Sequence, residues 1–289
     1  ASSTGPATSC PLVGPRVRTA AARSSPATGT GAPASTDTVA APHADEESPF
    51  LSRDPIATDR ALSLLMEGEV ELVGRMPYSS NATFLVDIEH DGLQAQGIYK
   101  PLRGESPLWD FPDGLYKREI AAFVTSEALG WDLVPPTVER ELIHGVGSLQ
   151  LFMPCVFEEH YYTLHEESDR YDDEFRRICA FDIVINNTDR KAGHCVLGVD
   201  DKIWAIDHGV AFHQEFKLRT VLWDFVDEDI PDAWCDDLWR LVEHPPAQFE
   251  ELLNPFERDA VTTRTTALGT ARRFPRDETG GRRFPWPLV

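Results

Sequence analysis

Residues 180–196 of the chain read AFDIVINNTDRKAGHCV. The apolar run that ends at Asn186 is typical of a buried helix, and the polar run after it predicts a loop that carries Asp189. Eighteen residues further on, an apolar strand ends at Asp207, two residues before Gly209. That pattern fits a turn that directs one carboxylate into a cleft. Taken alone, Asp189 could cap a turn and Asp207 could end a hairpin.

The sequence around this stretch divides into a strand-rich half and a helix-rich half. Short alternating or β-branched segments before it predict an antiparallel meander and a hairpin, with one helix between them that ends at Gly130. The predicted strands are 69–74, 82–88, 93–99, 137–143 and 147–153, and the helix begins near residue 115. The second half predicts acidic helices over 172–185 and 222–256, and a strand pair at 195–199 and 202–206.

These elements predict an α+β fold of two lobes with disordered termini. We expect an antiparallel, β-rich N-lobe over 62–150 and a mainly α-helical C-lobe over 151–265. Residues 1–60 are predicted to be a disordered tail, because their Ala-, Ser-, Thr-, Pro- and Gly-rich composition cannot bury enough apolar surface. Residues 266–289, with arginines among proline and glycine, predict a second loose tail.

The overall charge argues against some classes of partner. The chain has 48 acidic and 27 basic side chains and a net charge of −21, which disfavours nucleic acid and anionic membrane surfaces. No apolar run is long enough for a transmembrane segment, since even 178–185 is broken by Asp182. Five cysteines without a CxxC pair predict reduced thiols and a cytoplasmic location.

The order of several polar residues matches what phosphoryl transfer from ATP requires. A turn of small residues, Ser79, Ser80 and Asn81, offers backbone donors to phosphates. Lys100 ends a strand, and Glu119 opens the next helix 19 positions later. A lysine, an acid to hold it and two further acids are the parts this chemistry uses. Singly, a strand-ending lysine or a helical glutamate is more often a solvated surface residue.

In series, these stretches resemble the phosphatidylinositol 3/4-kinase superfamily, and most closely the type II phosphatidylinositol 4-kinases and related bacterial, actinobacterial-type kinase-like proteins. The matching stretches are 79–84, 99–101 with 104–105, 118–119, 134–137, 147–152, 187–190 and 206–209. The resemblance covers roughly half of the chain. It implies a two-lobed, protein-kinase-like fold and an ATP- and divalent-metal-dependent kinase that acts on a hydroxyl group.

The resemblance also implies roles for individual residues. Lys100 would contact ATP phosphates and Glu119 would orient it. Asp189 would be the catalytic acid that positions the acceptor hydroxyl, and Asp207 the main magnesium ligand. The adenine would lie against the connector between the lobes, which comprises Gln150, Leu151 and Phe152, with Ile98 above it and Val196 below.

Two residues near Asp189 depart from the lipid-kinase pattern. Lys191 is placed like the lysine that protein kinases use on the γ-phosphate, although it could be a solvated loop residue. His194 stands where the family usually has a metal-binding asparagine, so magnesium would be held less well, or manganese preferred. The palmitoylated cysteine cluster of eukaryotic type II enzymes is also missing.

Several alternatives stay open at this point. The acceptor could be an inositol lipid, a protein or a small molecule. The chain could be a catalytically impaired nucleotide-binding module, as His194 favours, or it could transfer a nucleotidyl group. A hydrolytic zinc site is disfavoured because there is no HExxH, and a Cys195 nucleophile because adjacent strand residues point to opposite faces.

Overall fold

Five antiparallel strands form the sheet of the N-lobe. This computed structural model describes residues 54–77, 79, 81–277 and 280–289. The strands are β1 (Glu69–Arg75), β2 (Phe84–His90), β3 (Leu93–Pro101), β4 (Thr137–Leu142) and β5 (Gly145–Leu151), in the order β1-β2-β3-β5-β4. The predicted meander and hairpin are therefore confirmed, with element ends displaced by about two residues.

Two helices flank this sheet. Helix α1 (Thr58–Glu67) begins before residue 60, where the predicted tail ends, and buries Leu64 and Leu65 against the sheet. Residues 1–53 of that tail lie outside the described residues. Helix α2 (Tyr116–Leu129) ends where the sequence predicted, because Gly130 adopts a left-handed backbone with φ 69°.

The C-lobe is mainly helical. Its elements are β6 (Cys155–Val156), α3 (Tyr161–Glu167), α4 (Asp172–Ile185), β7 (Cys195–Gly198), β8 (Ile203–Ala205), α5 (Asp232–Glu243), α6 (Phe249–Leu252) and α7 (Pro255–Ala271). The largest hydrophobic core joins α4, α5 and α7 to the inner face of α2. Helix α4 matches the prediction at both ends.

The predicted helix over 222–256 is wrong as a continuous element. Residues 222–230 form a loop that buries Leu222 and Phe225 in the core, and α5 begins only after Pro231. The helix ends at Glu243 because two prolines, Pro245 and Pro246, follow it. The short α6 and the longer α7 then replace its last part.

The segment after residue 265 contacts the C-lobe. Helix α7 continues through this predicted boundary to Ala271, and Phe274 is only 1% exposed. Further on, the carbonyl of Leu288 accepts a hydrogen bond from the backbone N–H of Ala192 at 2.8 Å. The described part of 266–289 therefore packs on the C-lobe, and its last residues reach the loop that follows α4.

The four cysteines within the described ranges are free and buried. In those same ranges, no helix combines the length and the apolar character needed to cross a bilayer.

Candidate functional site

Lys100 and Glu119 meet at the boundary between the lobes. Lys100 lies near the end of β3 and Glu119 in the first turn of α2, and the Nζ atom of Lys100 donates a hydrogen bond to Oε1 of Glu119. The other carboxylate oxygen of Glu119 accepts from the backbone N–H of His208 at 2.9 Å. Glu119 therefore ties the lysine of the N-lobe to the segment that follows β8 in the C-lobe.

Asp207 faces the same lysine. Its Oδ1 atom lies 2.9 Å from Nζ of Lys100, and its Oδ2 atom lies 3.4 Å from Nε2 of His194. The backbone of Asp207 is left-handed, with φ 60°, a conformation uncommon outside glycine. That turn directs the carboxylate toward Lys100. The sequence pattern of 206–209 predicted a turn of this kind.

Charge pairing fixes the protonation of this cluster. The positive charge of Lys100 holds the pKa of Asp207 well below its usual range, although 51% of the side chain is exposed and water screens part of the effect. Burial alone would lower the pKa of Lys100, but the negative charges of Asp207 and Glu119 outweigh it and raise that pKa. Burial lowers the pKa of His194 to about 4, so its imidazole is neutral at pH 7.

Asp189 and Lys191 lie on the loop after α4. The helix ends with Asn186 in a left-handed conformation, and the next residue, Asn187, accepts a hydrogen bond from the backbone N–H of Asp189 at 3.0 Å. Nζ of Lys191 is hydrogen-bonded to Oδ2 of Asp189. Burial raises the pKa of Asp189, while the charge of Lys191 acts against that rise. This loop therefore presents a carboxylate and an ammonium group as a pair.

Arg190, which the sequence analysis did not assign, joins this loop to the Asp207 turn. Arg190 and Asp182 are both fully buried, and the guanidinium binds both carboxylate oxygens at 2.9 Å. It also donates to the carbonyls of His194 at 3.0 Å and Ile206 at 2.8 Å. The position of Asp182 inside an apolar helix was the sequence signal for this ion pair, because a fully buried carboxylate requires a cationic partner.

His208 has a structural role in the same network. Its ring is fully buried, and Nε2 accepts a hydrogen bond from Arg190 at 2.7 Å. Burial, with the charge of Arg190, lowers its pKa far below the ordinary value, so the ring is neutral. The sequence analysis assigned only its neighbour Asp207.

A second buried ion pair fixes α2, and with it Glu119. Arg118, the residue before Glu119, pairs with Glu257 at the start of α7, and the two side chains are 2% and 5% exposed. Glu257 also accepts from the backbone N–H of Asn254 at 2.9 Å, in the capping box of α7. The orientation of Glu119 therefore depends on contacts between α2 and α7.

The predicted phosphate-binding turn lies between β1 and β2. Ser79 is hydrogen-bonded through its hydroxyl to Thr83 at 2.8 Å, and the side chain of Asn81 accepts from the backbone N–H of Ser106 at 2.8 Å. Ser80 lies outside the described residues. The side-chain oxygens of Ser79 and Asn81 thus stabilise the turn itself, and its role toward phosphates stays a prediction.

The predicted adenine-lining residues lie on β3, β5 and β7. Gln150 and Leu151 are buried, and the amide of Gln150 donates to the hydroxyl of Thr137 at 2.8 Å. The partly buried members of the set are Phe152, which follows β5, Ile98 on β3 and Val196 on β7. Ile98 is directly opposite Gln150 in the sheet. The adenine contacts stay a prediction.

Two side chains in this cluster could hold a divalent cation. A cation between Asp207 and His194 would have one carboxylate oxygen and one neutral imidazole nitrogen, and phosphate oxygens of a nucleotide commonly complete such a site. Among the described residues, no three His, Cys, Asp or Glu side chains are arranged around one metal position. The described residues therefore supply only part of a ligand set.

The fold is a two-lobed, protein-kinase-like fold. The chain matches the structure of hydra Fam20 with sugar with a TM-score of 0.50 and 12% identity, over 74% of this chain and 87% of that chain. A Helicobacter pylori proinflammatory kinase, CtkA, matches with a TM-score of 0.41 and 9% identity, over 72% of this chain and 94% of that one, and this likeness is too low to support an argument.

Sequence comparison identifies the family more narrowly. The chain is 34% identical to Protein Rv2133c of Mycobacterium tuberculosis in a 262-position alignment, which covers 78% of this chain and 94% of that protein. It belongs to the same protein family as Rv2133c. No protein-family profile matches the chain. The narrower resemblance to phosphatidylinositol kinases stays a prediction.

Proposed function

We propose that this chain is an ATP- and divalent-metal-dependent phosphotransferase that acts on a hydroxyl group. The convergence of Lys100, Glu119 and Asp207 supports the proposal most strongly, because these residues come from both lobes and meet within hydrogen-bonding distance. A kinase requires a lysine held by a glutamate and an aspartate for the metal at one place.

In the proposed reaction, Lys100 binds phosphate oxygens of ATP and Glu119 holds it in position. Lys100 keeps its positive charge because two carboxylates surround it. A fixed ammonium group stabilises the negative charge of the transferring phosphoryl group without reorganisation.

Asp189 would accept the proton of the acceptor hydroxyl. Its carboxylate is 29% exposed, so an acceptor can reach it, and it is already paired with Lys191. Lys191 would hold Asp189 in its ionised form and offset charge on the phosphoryl group. The raised pKa of Asp189 suits a base better than an ordinary carboxylate would.

Asp207 and His194 would hold the cation, which supplies charge neutralisation for the phosphates when bound. A neutral imidazole nitrogen is a softer donor than an amide oxygen. We therefore expect manganese to support activity better than magnesium.

Three classes of hydroxyl acceptor are candidates: an inositol lipid, a protein or a small molecule. The family resemblance favours the lipid. The net charge of −21 and the presence of Lys191 favour an acceptor that is not part of an anionic membrane.

A second candidate function is that of a nucleotide-binding interaction module with impaired catalysis. His194 favours this candidate. Nε2 of its ring lies 3.4 Å from Oδ2 of Asp207, an oxygen that a cation would otherwise bind. The ion pair of Lys191 with Asp189 favours the enzyme instead, since a binding module needs no such base.

Mass spectrometry of the protein and of added acceptors after incubation with ATP and Mn²⁺ or Mg²⁺ tests the proposal. The proposal predicts ADP together with a gain of one phosphate. A gain of AMP would indicate nucleotidyl transfer, and bound ATP without any product would indicate the interaction module. Asp189→Asn should retain ATP binding and slow transfer by ~10²–10⁴-fold.

A further inference from the structure

We infer that Arg219 binds an anionic group of the acceptor beside Asp189, so that the acceptor is a small soluble alcohol bearing a phosphate or carboxylate. This inference rests on the proposed phosphotransferase function and deepens it by naming the substrate class. Neither the sequence motifs nor the kinase-like roles assign any part to Arg219.

The backbone places Arg219 next to the proposed base. Its N–H donates to the carbonyl of Asn187 at 2.9 Å, and its carbonyl accepts from the N–H of Arg190 at 3.0 Å. The two hydrogen bonds join Arg219 to Asn187 and Arg190, and Asp189 lies between these two residues in the chain. The backbone position of Arg219 is therefore fixed relative to the catalytic loop.

The pairing also determines which face Arg219 occupies. Arg190 and Thr220 form a parallel bridge, and both are fully buried. Neighbouring residues of extended chain project to opposite faces, so Asp189 and Arg219 share the other face, where both are partly exposed. Although burial raises the pKa of Asp189, the charges of Lys191 and Arg219 act against that rise, as expected for a nearby guanidinium.

Arg219 has no acidic partner within the described part of the chain. Among the residues that the structure describes, no carboxylate lies within salt-bridge distance of it, whereas Lys191 is bonded to Asp189 and Arg190 to Asp182. The chain carries 21 more acidic than basic side chains. An arginine that stays unpaired in so acidic a chain, beside the proposed base, leaves its guanidinium available for a ligand.

The guanidinium determines the chemical class of that ligand. Its planar fork binds phosphate or carboxylate through two parallel hydrogen bonds, which a lysine cannot do. The surrounding negative charge repels an anionic bilayer but still admits a small anion at a local cation. These two effects together favour a soluble anionic alcohol over a lipid.

The anionic group takes no part in the chemistry. The acceptor oxygen forms a bond to the γ-phosphorus of ATP as the bond from that phosphorus to the bridging oxygen breaks, and ADP leaves with the bonding electrons. The hydroxyl proton passes to Asp189. Arg219 only holds the acceptor so that its hydroxyl lies at Asp189, which makes it a positioning residue.

Matched acceptor pairs test this inference: glycerol against glycerol 3-phosphate, and glucose against glucose 6-phosphate. Each is titrated calorimetrically into the protein with ADP and Mn²⁺, and each is assayed for transfer from ATP. We expect wild-type protein to prefer the anionic member of a pair. Arg219→Gln should raise the Kd and KM for that member by roughly ten- to hundredfold, as expected for loss of a charged hydrogen-bonding partner.

The controls separate binding of the acceptor from folding and from binding of ATP. In Arg219→Gln, the KM for ATP, the thermal unfolding midpoint and the constants for the neutral acceptors should not change, and Arg219→Lys should recover part of the affinity. Arg60→Gln, the same change on exposed α1, should resemble wild type. A rise in the KM for ATP in Arg219→Gln would overturn the inference and assign Arg219 to the nucleotide.

The remaining outcomes distinguish the inference from the function on which it rests. If ATP binds with the metal but no anionic probe binds better than its neutral partner, the inference is wrong and the kinase proposal stands. Transfer only to phosphatidylinositol in phosphatidylcholine vesicles would also overturn it, in favour of a lipid. If the protein does not bind ATP, both proposals fail.

Discussion

Oε2 of Glu119 accepts a hydrogen bond from the backbone N–H of His208 at 2.9 Å, while its Oε1 binds Lys100. One carboxylate in the N-lobe thus holds the lysine and also the residue that follows Asp207. The position of Lys100 relative to Asp207 depends on this single buried side chain, which is 3% exposed.

Glu119→Gln should weaken ATP binding without unfolding the protein. The amide can still accept from His208, but it removes one of the two negative charges that surround Lys100. We expect the KM for ATP to rise roughly ten- to hundredfold, the effect of losing a charged hydrogen bond. Steady-state kinetics measures this change. Glu127→Gln, an exposed position on the same helix, is the matched control, and an equal effect there would contradict the assignment.

The pH dependence of kcat/KM reports on Asp189. A base acts only when ionised, so activity falls as the pH drops through its pKa, and burial places that pKa above the ordinary aspartate value. Lys191 lowers the same pKa. Lys191→Met should therefore shift the acid limb of the profile to higher pH and reduce kcat. A limb that stays in place or shifts to lower pH would exclude Asp189 as the base.

Glu257→Gln should destabilise the fold. The change leaves Arg118 buried without its counter-charge, which costs about 3–5 kcal/mol in comparable pairs. Urea unfolding would measure the loss. Glu250→Gln removes a carboxylate that is 74% exposed and paired with Arg258, so it should change little. Equal losses in the two variants would show that the pair does not hold α2 in place.

His194→Asn should alter the choice of metal. An amide oxygen is a harder donor than imidazole nitrogen, so the ratio of magnesium- to manganese-supported activity should rise. Parallel assays over a range of both metals measure this ratio. Loss of activity with both metals would show that the histidine has a specialised role, and an unchanged ratio would remove it from the metal site.

The sequence predicted those elements whose local signals agree with their packing. Helix α4 matches at both ends, since its apolar spacing and the Asn186 terminus give the same boundaries. The predicted helix over 222–256 was wrong at its start. Residues 222–230 form a loop, and apolar side chains of this loop are buried in the core. Periodicity cannot distinguish that arrangement from a helix.

In the candidate site, motif order predicted which residues come together, but not how they are connected. Lys100, Glu119 and Asp207 were identified in this way. Other features depend on contacts between separate segments of the chain. They are the buried ion pair of Arg190 with Asp182 and the position of Arg219 beside Asp189. Such contacts leave no spacing pattern within one segment, although a charged residue in an apolar helix is a usable signal.

Calorimetric titration of ATP with Mn²⁺ tests the central claim most directly, because it requires no acceptor. Lys100 and Asp207, 2.9 Å apart, are proposed to bind one nucleotide and its cation. The account predicts saturable, metal-dependent binding by the wild type and by Asp189→Asn, and a loss of at least roughly tenfold in Asp207→Asn. Unchanged metal-dependent affinity in Asp207→Asn, or no binding by the wild type, would contradict it.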